Sequence, residues 1–431
     1  MTHSDSHHSA LKSRRDASMG QAYRLFYDQP LDLVRGEGCW LFDSQGHAFL
    51  DAYNNVPIVG HCHPKVVAAV SKQLGTLNTH TRYLSEMVIR CSETLLDLFP
   101  RSLDRVTFAC SGTEAVELAL RVARAHTQAR GVIVTRFAYH GNSTEIAQIS
   151  PEEPPPEGVG EHIEMVPAPD TFRGAEDTAK APLDYHLDAL RSAIDRLAAR
   201  KIRPAALVID TIFSSEGLVE PPTGYLRAAT EIIHSAGGLL IADEVQAGFG
   251  RLGSSFWGFE RHGVEPDMVT IGKPMGNGYP VSAMITRSDI LGSFAKKASY
   301  FNTFGGSHAA CAAVMAVLEV IAGESLQDNA LTTGAQLRTG LLELAESYPA
   351  IGDVRGSGLY LGVDLVTDRA LKTPDAALAR KLVNGMRDRG VLIGRTGQGE
   401  NVLKLRPPLV FSKSEAAHLL DALSDCLEQW A

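Results

Sequence analysis

The chain has 431 residues and a formal net charge of −9, and 44% of its residues are hydrophobic. This length allows one large domain and a smaller one, each with an apolar core. The mildly acidic balance disfavours nucleic acid as a partner, and no apolar run is long enough to span a membrane.

The N-terminal segment, residues 1–20, is polar and lacks the apolar stretch of a secretory signal, so we expect a flexible tail. Six cysteines are widely spaced and none forms a CxxC pair. In a chain of this size, such spacing favours buried, reduced thiols and a cytoplasmic location. The run His61-Cys62-His63 has no second ligand cluster in the sequence, so we interpret it as a structured turn and expect no metal.

Short apolar strands alternate with helical patterns through the middle of the chain, which predicts a mostly parallel sheet covered by helices. The predicted strands are Val106–Cys110, Val132–Thr135, Ala206–Ile209, Leu239–Ala242, Met268–Ile271 and Val281–Ile285. Helical spacing is found after the first strand and at Leu183–Arg200 and Tyr225–Ala236. The proline-rich run 151–156 predicts a stiff surface loop.

Helical patterns dominate after Thr303. The helices predicted there are His308–Ala322, Asn329–Glu346, Asp375–Arg389 and Ser414–Gln429, and the strands are Leu359–Leu365 and Val402–Leu405. Strand and turn signals at Gly38–Asp43 and His47–Asp51 predict that the N-terminal region packs with this C-terminal part. We therefore expect a tail (1–20), a large domain (76–304) and a small domain built from 21–75 and 305–431.

Four motifs follow predicted strands, and ligands bind at the carboxyl ends of strands in an open α/β sheet. The first is Ser111-Gly112-Thr113, where small residues lead into a helix. The free N–H groups of a helix start suit a phosphate, although an ordinary capped helix explains this motif alone equally well. The second contains Tyr139 and His140; a tyrosine here can stack on a planar ring, or simply lie at a loop edge.

The third motif begins with Asp243-Glu244, directly after an apolar strand. A buried carboxylate facing a pyridine nitrogen keeps that nitrogen protonated and makes the ring an electron sink, whereas a solvated acid pair is the simpler alternative. The glycines after these acids match GxGxxG. We reject a dinucleotide site, because the acids stand between strand and glycines and no helical pattern begins after Gly253.

The fourth motif places Lys273 at the end of the strand Met268–Ile271, before Pro274 and several glycines. Desolvation lowers the pKa of a lysine and makes its amine a usable nucleophile. A lone lysine in a turn is more commonly a surface residue. The glycine spacing of a P-loop is absent.

Together these motifs resemble the class III aminotransferase family of fold-type-I pyridoxal 5'-phosphate (PLP) enzymes, from about Gly36 to Trp430. The run 243–251, Asp-Glu-Val-Gln-Ala-Gly-Phe-Gly-Arg, is highly specific. The resemblance implies an α/β fold with a mostly parallel seven-stranded sheet between helices and a smaller α/β domain from both termini. It also implies that Lys273 forms a Schiff base with PLP and then abstracts the α-proton of the substrate.

The resemblance implies roles for further residues around the cofactor. The implied cofactor contacts besides Lys273 are Ser111, Gly112, Thr113, Tyr139, His140, Asp243, Gln246 and Thr303. Asp243 would pair with the ring nitrogen, Gln246 would lie near the phenolic oxygen and Tyr139 would stack on the ring. Thr303 would reach the phosphate in the neighbouring subunit, which implies a homodimer or tetramer with shared active sites.

Two departures from the family pattern bear on the reaction. Class III aminotransferases commonly carry an arginine that grips the substrate α-carboxylate, and Lys404 stands at that position here, with Arg406 on the same strand face. A lysine loses bidentate carboxylate recognition but keeps a compact charge that suits a phosphate. The acid that masks this arginine in glutamate-using members aligns with Ser215, and a register error of one would place Glu216 there.

Other runs resemble the ethanolamine-phosphate phospholyase branch. They are 53–56, 60–64, 78–84, 272–278 and 401–404. In that branch a phosphorylated amine, O-phosphoethanolamine, reacts with water to give acetaldehyde, ammonia and phosphate. Cations at Lys404, Arg406 and Arg82 would stabilise the departing phosphate, although the first two also fit a solvated strand edge. The alternatives are a class III ω-aminotransferase and, less favoured, a non-catalytic PLP-binding protein.

Overall fold

The structure is a computed structural model that describes residues 3–20, 22–174 and 180–431. The expected domain ranges also include residues 1–2, 21 and 175–179, which lie outside the described residues. The first elements are α1 (His3–Met19), β1 (Leu33–Glu37), β2 (Trp40–Asp43), β3 (Ala48–Asp51), α2 (Pro64–Leu74) and α3 (Glu86–Leu96). The segment expected to be a flexible tail is therefore helical over most of its length. It includes a helix-stabilising pair one turn apart, Lys12 and Asp16, 2.8 Å from nitrogen to oxygen.

The middle of the chain alternates strands and helices. Its elements are β4 (Arg105–Ala109), α4 (Gly112–Thr127), β5 (Gly131–Thr135), α5 (Thr144–Ala147), β6 (Ile163–Val166), α6 (Pro182–Ala199), β7 (Pro204–Asp210), α7 (Tyr225–Ser235), β8 (Leu239–Asp243), β9 (Met268–Ile271), β10 (Ser282–Thr286) and α8 (Ser288–Ala295). The seven strands form one sheet in the order β4-β10-β9-β8-β7-β5-β6. Only β10 runs antiparallel to its neighbours, so the expected mostly parallel seven-stranded sheet is confirmed.

Helices cover both faces of this sheet. In β5, Val132 and Val134 pack into the cluster that contains α4, whereas Ile133 packs with α6 and α7 on the opposite face. The strands β5, β7, β8, β9 and β10 are buried along their whole length. A parallel sheet covered on two faces requires such continuous apolar strands, and this is why the sequence pattern predicts them.

The C-terminal part joins the N-terminal strands. Its elements are α9 (His308–Gly323), α10 (Leu326–Ser347), β11 (Ile351–Ser357), β12 (Tyr360–Asp368), β13 (Thr373–Pro374), α11 (Ala376–Asp388), β14 (Val391–Leu392), β15 (Gly394–Thr396), β16 (Val402–Leu405) and α12 (Lys413–Trp430). Strand β14 pairs in parallel with β3, which builds one small sheet from both termini. The boundaries at 75/76 and 304/305 stay predictions.

Within the described ranges, no single helix is long and apolar enough to cross a membrane. Helices α9 and α10 pass such a test only as a pair, which bends by 61°. The apolar residues of α9 are buried in the protein core. Four cysteines are buried as expected, whereas Cys62 is exposed and Cys110 is half-buried.

Candidate active site

The carboxyl ends of β4, β5, β7, β8 and β9 lie at one edge of the large sheet, because these strands all run in the same direction. A cavity of about 280 Å³ lies at this edge. Its lining includes Ser111, Gly112, Thr113, Tyr139, His140, Asp243, Gln246 and Lys273. The structure thus brings together every cofactor contact expected from the sequence except Thr303.

Lys273 enters this cavity from the first position of a short 3-10 helix, Lys273–Gly276, directly after β9. Burial, and after it the positive charge of Arg406, lower the pKa of Lys273 to about 8, while Asp243 opposes the change. An amine with a pKa near 8 is partly neutral at physiological pH. It can therefore act as a nucleophile and as a base.

Asp243 ends β8 at the back of the cavity and is held by three neighbours. Its Oδ2 lies 2.7 Å from Nδ1 of His140, and its Oδ1 accepts from Thr270 Oγ1 at 3.1 Å and Val245 N at 3.2 Å. Burial alone would lower the pKa of His140, but the hydrogen bond and charge of Asp243 outweigh it and raise that pKa. A buried carboxylate next to an imidazole fits the nitrogen of a protonated pyridine ring.

The start of α4 forms a cradle for an anion. Ser111 caps the helix, and its Oγ accepts from Glu114 N at 3.2 Å. The first N–H groups of a helix have no partner within the helix and attract phosphate. The backbone packs closely here: a Cβ on Gly141, whose φ is +140°, would lie 2.5 Å from Thr113 Oγ1. A side chain at position 141 would therefore displace Thr113 from the helix start.

Gln246 connects the large sheet to the small domain. Its Oε1 accepts from Arg406 Nη1 at 2.6 Å and from Tyr360 Oη at 2.9 Å. Arg406 also donates to the carbonyl of Tyr53 at 2.7 Å and lies over the Tyr53 ring, 4.8 Å from its centre. With its oxygen committed to these donors, the Gln246 amide group presents its N–H side to the cavity.

Lys404 is a buried cation on β16. Its side chain is only slightly exposed, so the solvated strand edge considered from the sequence is wrong for this residue. Within the described part of the chain, Nζ forms no hydrogen bond or ion pair, and it lies 5.8 Å from the centre of the Tyr360 ring. Burial lowers the pKa of Lys404 to about 7, and Arg406 adds to this effect while Glu152 opposes it. A buried ammonium without a direct ion pair is costly and is stabilised when an anionic ligand binds.

Two polar residues near the site, Asp210 and Glu152, were not found from the sequence. Asp210 ends β7 directly opposite Asp243 in the sheet register, and burial followed by the charge of Asp243 raises its pKa. Ser215 Oγ donates to Glu152 Oε2 at 2.8 Å. Glu152 belongs to the run expected to be a surface loop; that interpretation is wrong for its side chain, which turns inward. The strand-end position of Asp210 was a usable signal, whereas the inward turn of Glu152 leaves no local pattern.

Arg82 and Thr303 lie outside this cavity. The Arg82 side chain is exposed and stacks on Phe301, with its guanidinium carbon 3.8 Å from the ring centre. Thr303 is exposed two residues further along the chain. The expected contact of Arg82 with substrate phosphate is therefore not made within one subunit, because the side chain points to this separate surface.

A model of the class III aminotransferases matches residues 25–427. The chain belongs to the class III aminotransferase family. A relative of this family from Drosophila melanogaster, named alanine–glyoxylate aminotransferase 2-like, is 40% identical over 96% of this chain and 86% of its own length. The ethanolamine-phosphate phospho-lyase homolog 1 of Caenorhabditis elegans is 38% identical over 97% of this chain and 92% of its own.

Solved structures of the family agree with this assignment. A phospholyase from Arthrobacter in complex with phosphoethanolamine superposes with a TM-score of 0.95 and 43% identity, over 98% of this chain and all of the other. A PLP-bound amine transaminase from an uncultivated Pseudomonas species gives a TM-score of 0.87 and 29% identity, over 96% and 98% of the two chains. The cofactor of this class III enzyme is PLP. The start of α4 fits its phosphate, the Asp243 carboxylate fits its ring nitrogen and the Lys273 amine fits its aldehyde.

The run His61-Cys62-His63 forms the structured turn expected from the sequence. His61 N donates to Gly38 O at 2.7 Å, and His61 Nε2 lies 2.7 Å from Asp51 Oδ2. Over the described ranges, no three His, Cys, Asp or Glu side chains are grouped so that they could hold a metal ion.

Proposed function

We propose that this enzyme is a phospholyase that converts O-phosphoethanolamine, or a close relative, and water to acetaldehyde, ammonia and phosphate. The observation that carries the proposal is the buried Lys404 amine, which forms no ion pair or hydrogen bond with the residues that the structure describes. A substrate phosphate would supply a direct anionic partner. The proposal is supported by the likeness to a solved phospholyase complexed with phosphoethanolamine.

The charges around Lys404 favour a phosphate over an α-carboxylate. Family members that bind a carboxylate there use the planar fork of an arginine, whereas a lysine binds as a compact point charge. Arg406, close enough to lower the pKa of Lys404, adds a second positive charge. Glu152 lies near both cations and reduces their net charge, but the pair of cations is still better matched to the two negative charges of a phosphate than to one carboxylate.

Each residue of the site then has a role in elimination. When bound, PLP supplies an electron-withdrawing ring that stabilises negative charge on the carbon next to the substrate nitrogen. Lys273 takes the proton from that carbon. The bond between the next carbon and the phosphate oxygen breaks, its electron pair leaves with phosphate, and Lys404 and Arg406 stabilise the departing charge. The remaining two-carbon amine fragment takes up water and separates into acetaldehyde and ammonia.

Asp243 and Tyr139 would hold the ring in place during these steps. Asp243, fixed by His140, Thr270 and Val245, keeps a negative charge beside the ring nitrogen. Tyr139 is partly buried at the cavity wall, in position to cover one face of a planar ring. Ser111, Gly112 and Thr113 would bind the cofactor phosphate at the start of α4.

An ω-aminotransferase is the second candidate, favoured by the aminotransferase name of the Drosophila relative. The same proton abstraction by Lys273 serves both reactions. The two reactions differ in the next step, since a transaminase transfers the amino group to a keto acid and leaves the phosphate ester intact.

The test is product analysis with purified holoenzyme and O-phosphoethanolamine, with and without 2-oxoglutarate or pyruvate. A phospholyase releases phosphate and acetaldehyde at the same rate in both conditions. If no phosphate is released and glutamate or alanine accumulates only when the keto acid is present, the proposal is wrong and the enzyme is an aminotransferase.

We also propose a homodimer, or a tetramer built from it, with shared active sites. The surface around Thr303 and Arg82 carries exposed apolar side chains: Tyr83 is 66% exposed, Leu84 98% and Phe304 70%. Such a patch is unusual on a monomer and is suited to a second copy of the chain. The cytoplasmic location stays a prediction from cysteine usage.

A further inference from the structure

Two buried polar atoms behind the cofactor cavity have no hydrogen-bond partner among the described residues: His140 Nε2 and Glu216 Oε2. The other polar atom of each side chain is bonded. His140 Nδ1 lies 2.7 Å from Asp243, and Glu216 Oε1 accepts from the hydroxyl of Thr135. Buried polar atoms of this kind are commonly satisfied by an ordered water molecule. His140 Nε2 and Glu216 Oε2 would be the two polar partners of such a water.

The backbone places the two side chains at the carboxyl ends of the neighbouring strands β5 and β7. Thr135 ends β5, and Ala138 N donates to Thr135 O at 3.3 Å, so the chain turns back over the strand end just before His140. Glu216 follows β7, which pairs with β5 in the sheet, and its bond to Thr135 fixes it at that same strand end. Both residues are buried, and each is close enough for its charge to act on the pKa of the other.

We propose that Glu216 is a positioning residue for the cofactor ring, which acts through a buried water on Nε2 of His140 and so determines whether the imidazole beside Asp243 is doubly protonated or neutral. With Glu216 ionised, the Nε2 side is negative, and a doubly protonated His140 keeps Asp243 ionised beside the ring nitrogen. With Glu216 protonated, the water receives a proton from the acid and donates to Nε2, and His140 is neutral. One proton therefore moves between Glu216 and His140 without leaving the protein.

The surroundings of Glu216 allow it to exchange a proton with His140 near neutral pH. Burial, and then the charge of Asp210, raise the pKa of Glu216 to about 7, while the Thr135 hydrogen bond and His140 oppose the change. Lys404 faces Glu216 from β16, since Glu216 raises the pKa of that lysine. A second cavity of about 400 Å³ lies on the other side of Glu216. The other charged residues that line it are Arg136, Asp170, Arg173 and Arg355.

This role is the same for elimination and for transamination, since both need a protonated ring nitrogen. It is therefore independent of the proposed substrate. The proposed role of Glu216 also differs from that of the acid that pairs with the carboxylate-binding arginine in glutamate-using members of the family. The neighbouring Ser215 is linked to Lys404 only indirectly, because it donates to Glu152, whose charge acts on Lys404.

The test is a pH titration of the visible absorbance of bound PLP in the holoenzyme without substrate. Glu216→Gln removes a negative charge that stabilises the protonated forms of His140 and of the bound cofactor. We therefore expect the pKa read from the PLP absorbance to fall by about half a unit or more. Glu216→Asp keeps the negative charge, so its spectroscopic pKa should lie close to the wild-type value. Glu157→Gln, which neutralises an exposed acid outside both cavities, should leave the titration unchanged.

An unchanged spectroscopic pKa in folded, PLP-loaded Glu216→Gln would overturn the proposal. If that variant does not fold, Thr135→Val makes the same test, because it removes a hydrogen bond that lowers the pKa of Glu216. Glu216 would then be protonated more often, and the spectroscopic pKa should fall in the same direction by a smaller amount. No shift in Thr135→Val with full PLP content would equally contradict the proposal.

Discussion

Arg406 Nη1 donates to Gln246 Oε1 at 2.6 Å and so joins the end of a small-domain strand to the strand-end motif of the large sheet. The two residues are 160 positions apart in the chain. Lys404, two residues before Arg406, lies close enough to Lys273 for its charge to lower the pKa of that amine. The reactive amine and the cations proposed for the leaving group are thereby held at a fixed separation.

Replacing Lys273 with Ala should remove the covalent attachment of PLP and abolish turnover, because no other lysine lines the cavity within the described residues. Loss of the general base alone corresponds to about 10²–10⁴-fold in rate. The measurement is the visible absorbance of the holoenzyme together with phosphate release. Lys296→Ala, which changes an exposed lysine, is the matched control. Turnover by Lys273→Ala at more than a tenth of the wild-type rate would contradict the assignment.

Capture of PLP by the apoenzyme should depend on pH with a midpoint near 8, the pKa of Lys273. Only the neutral amine attacks an aldehyde, so the rate should rise about tenfold per pH unit below the midpoint and level off above it. Stopped-flow absorbance measures this rate. Arg406→Gln removes a charge that lowers the pKa of Lys273 and should move the midpoint upward. A wild-type midpoint near the ordinary lysine value of 10.5 would show that Lys273 is not desolvated.

Lys404→Ala should weaken binding of the phosphorylated substrate by about 10- to 100-fold, the value of a hydrogen bond to a charged group. Binding of an amine without phosphate should change little. Competition by inorganic phosphate gives the same comparison without turnover, and Lys413→Ala is the control for an exposed lysine. Because the pKa of Lys404 is about 7, phosphate affinity of the wild type should fall as pH rises through that value. Equal losses for both amines would argue against a phosphate-binding role.

Glu152→Gln should tighten phosphate binding several-fold, since it removes a negative charge that acts on Lys404 and Arg406. The substitution retains an oxygen that can accept from Ser215, so the loop should keep its position. Glu157→Gln changes an exposed acid further along the same loop and serves as the control. The inhibition constant of inorganic phosphate is the readout. Weaker binding in Glu152→Gln would show that this carboxylate supports the phosphate site instead of balancing its charge.

Shared active sites can be tested by mixing two inactive variants, Lys273→Ala and Thr303→Ala. If Thr303 completes the site of the partner subunit, a mixed dimer contains one site with both residues intact. Activity should then recover to about a quarter of the wild-type value after subunit exchange, from random pairing of equal amounts. Light scattering confirms the dimer. Thr303→Ala that retains full PLP content and activity would show that Thr303 has no part in the cofactor site.

The sequence predicts the large sheet well because its strands are buried on both faces and read as continuous apolar runs. Strands β6 and β11 were not predicted: β6, Ile-Glu-Met-Val, has a charged residue among its few apolar ones, and β11, Ile-Gly-Asp-Val-Arg-Gly-Ser, mixes glycines and charges with few apolar residues. The N-terminal helix was missed because a polar, exposed helix shows no apolar stripe.

The candidate site was predictable where residues follow strands, as for Lys273 and Asp243, since parallel strands end at the same edge of a sheet. The inward turn of Glu152 and the position of Glu216 behind His140 depend on how distant loops pack. The stacking of Arg82 on Phe301 likewise leaves no local pattern, and a contact of Arg82 with substrate phosphate stays a prediction.

The most direct test of the account is the number of phosphates released per active site when the holoenzyme is incubated with excess O-phosphoethanolamine and no keto acid. Elimination regenerates the PLP form in each cycle, so we predict many phosphates per site, with one acetaldehyde formed for each. A transaminase stops after one amino transfer per site and leaves the ester intact. Fewer than one phosphate per site, with the absorbance of bound PLP lost, would contradict the phospholyase assignment.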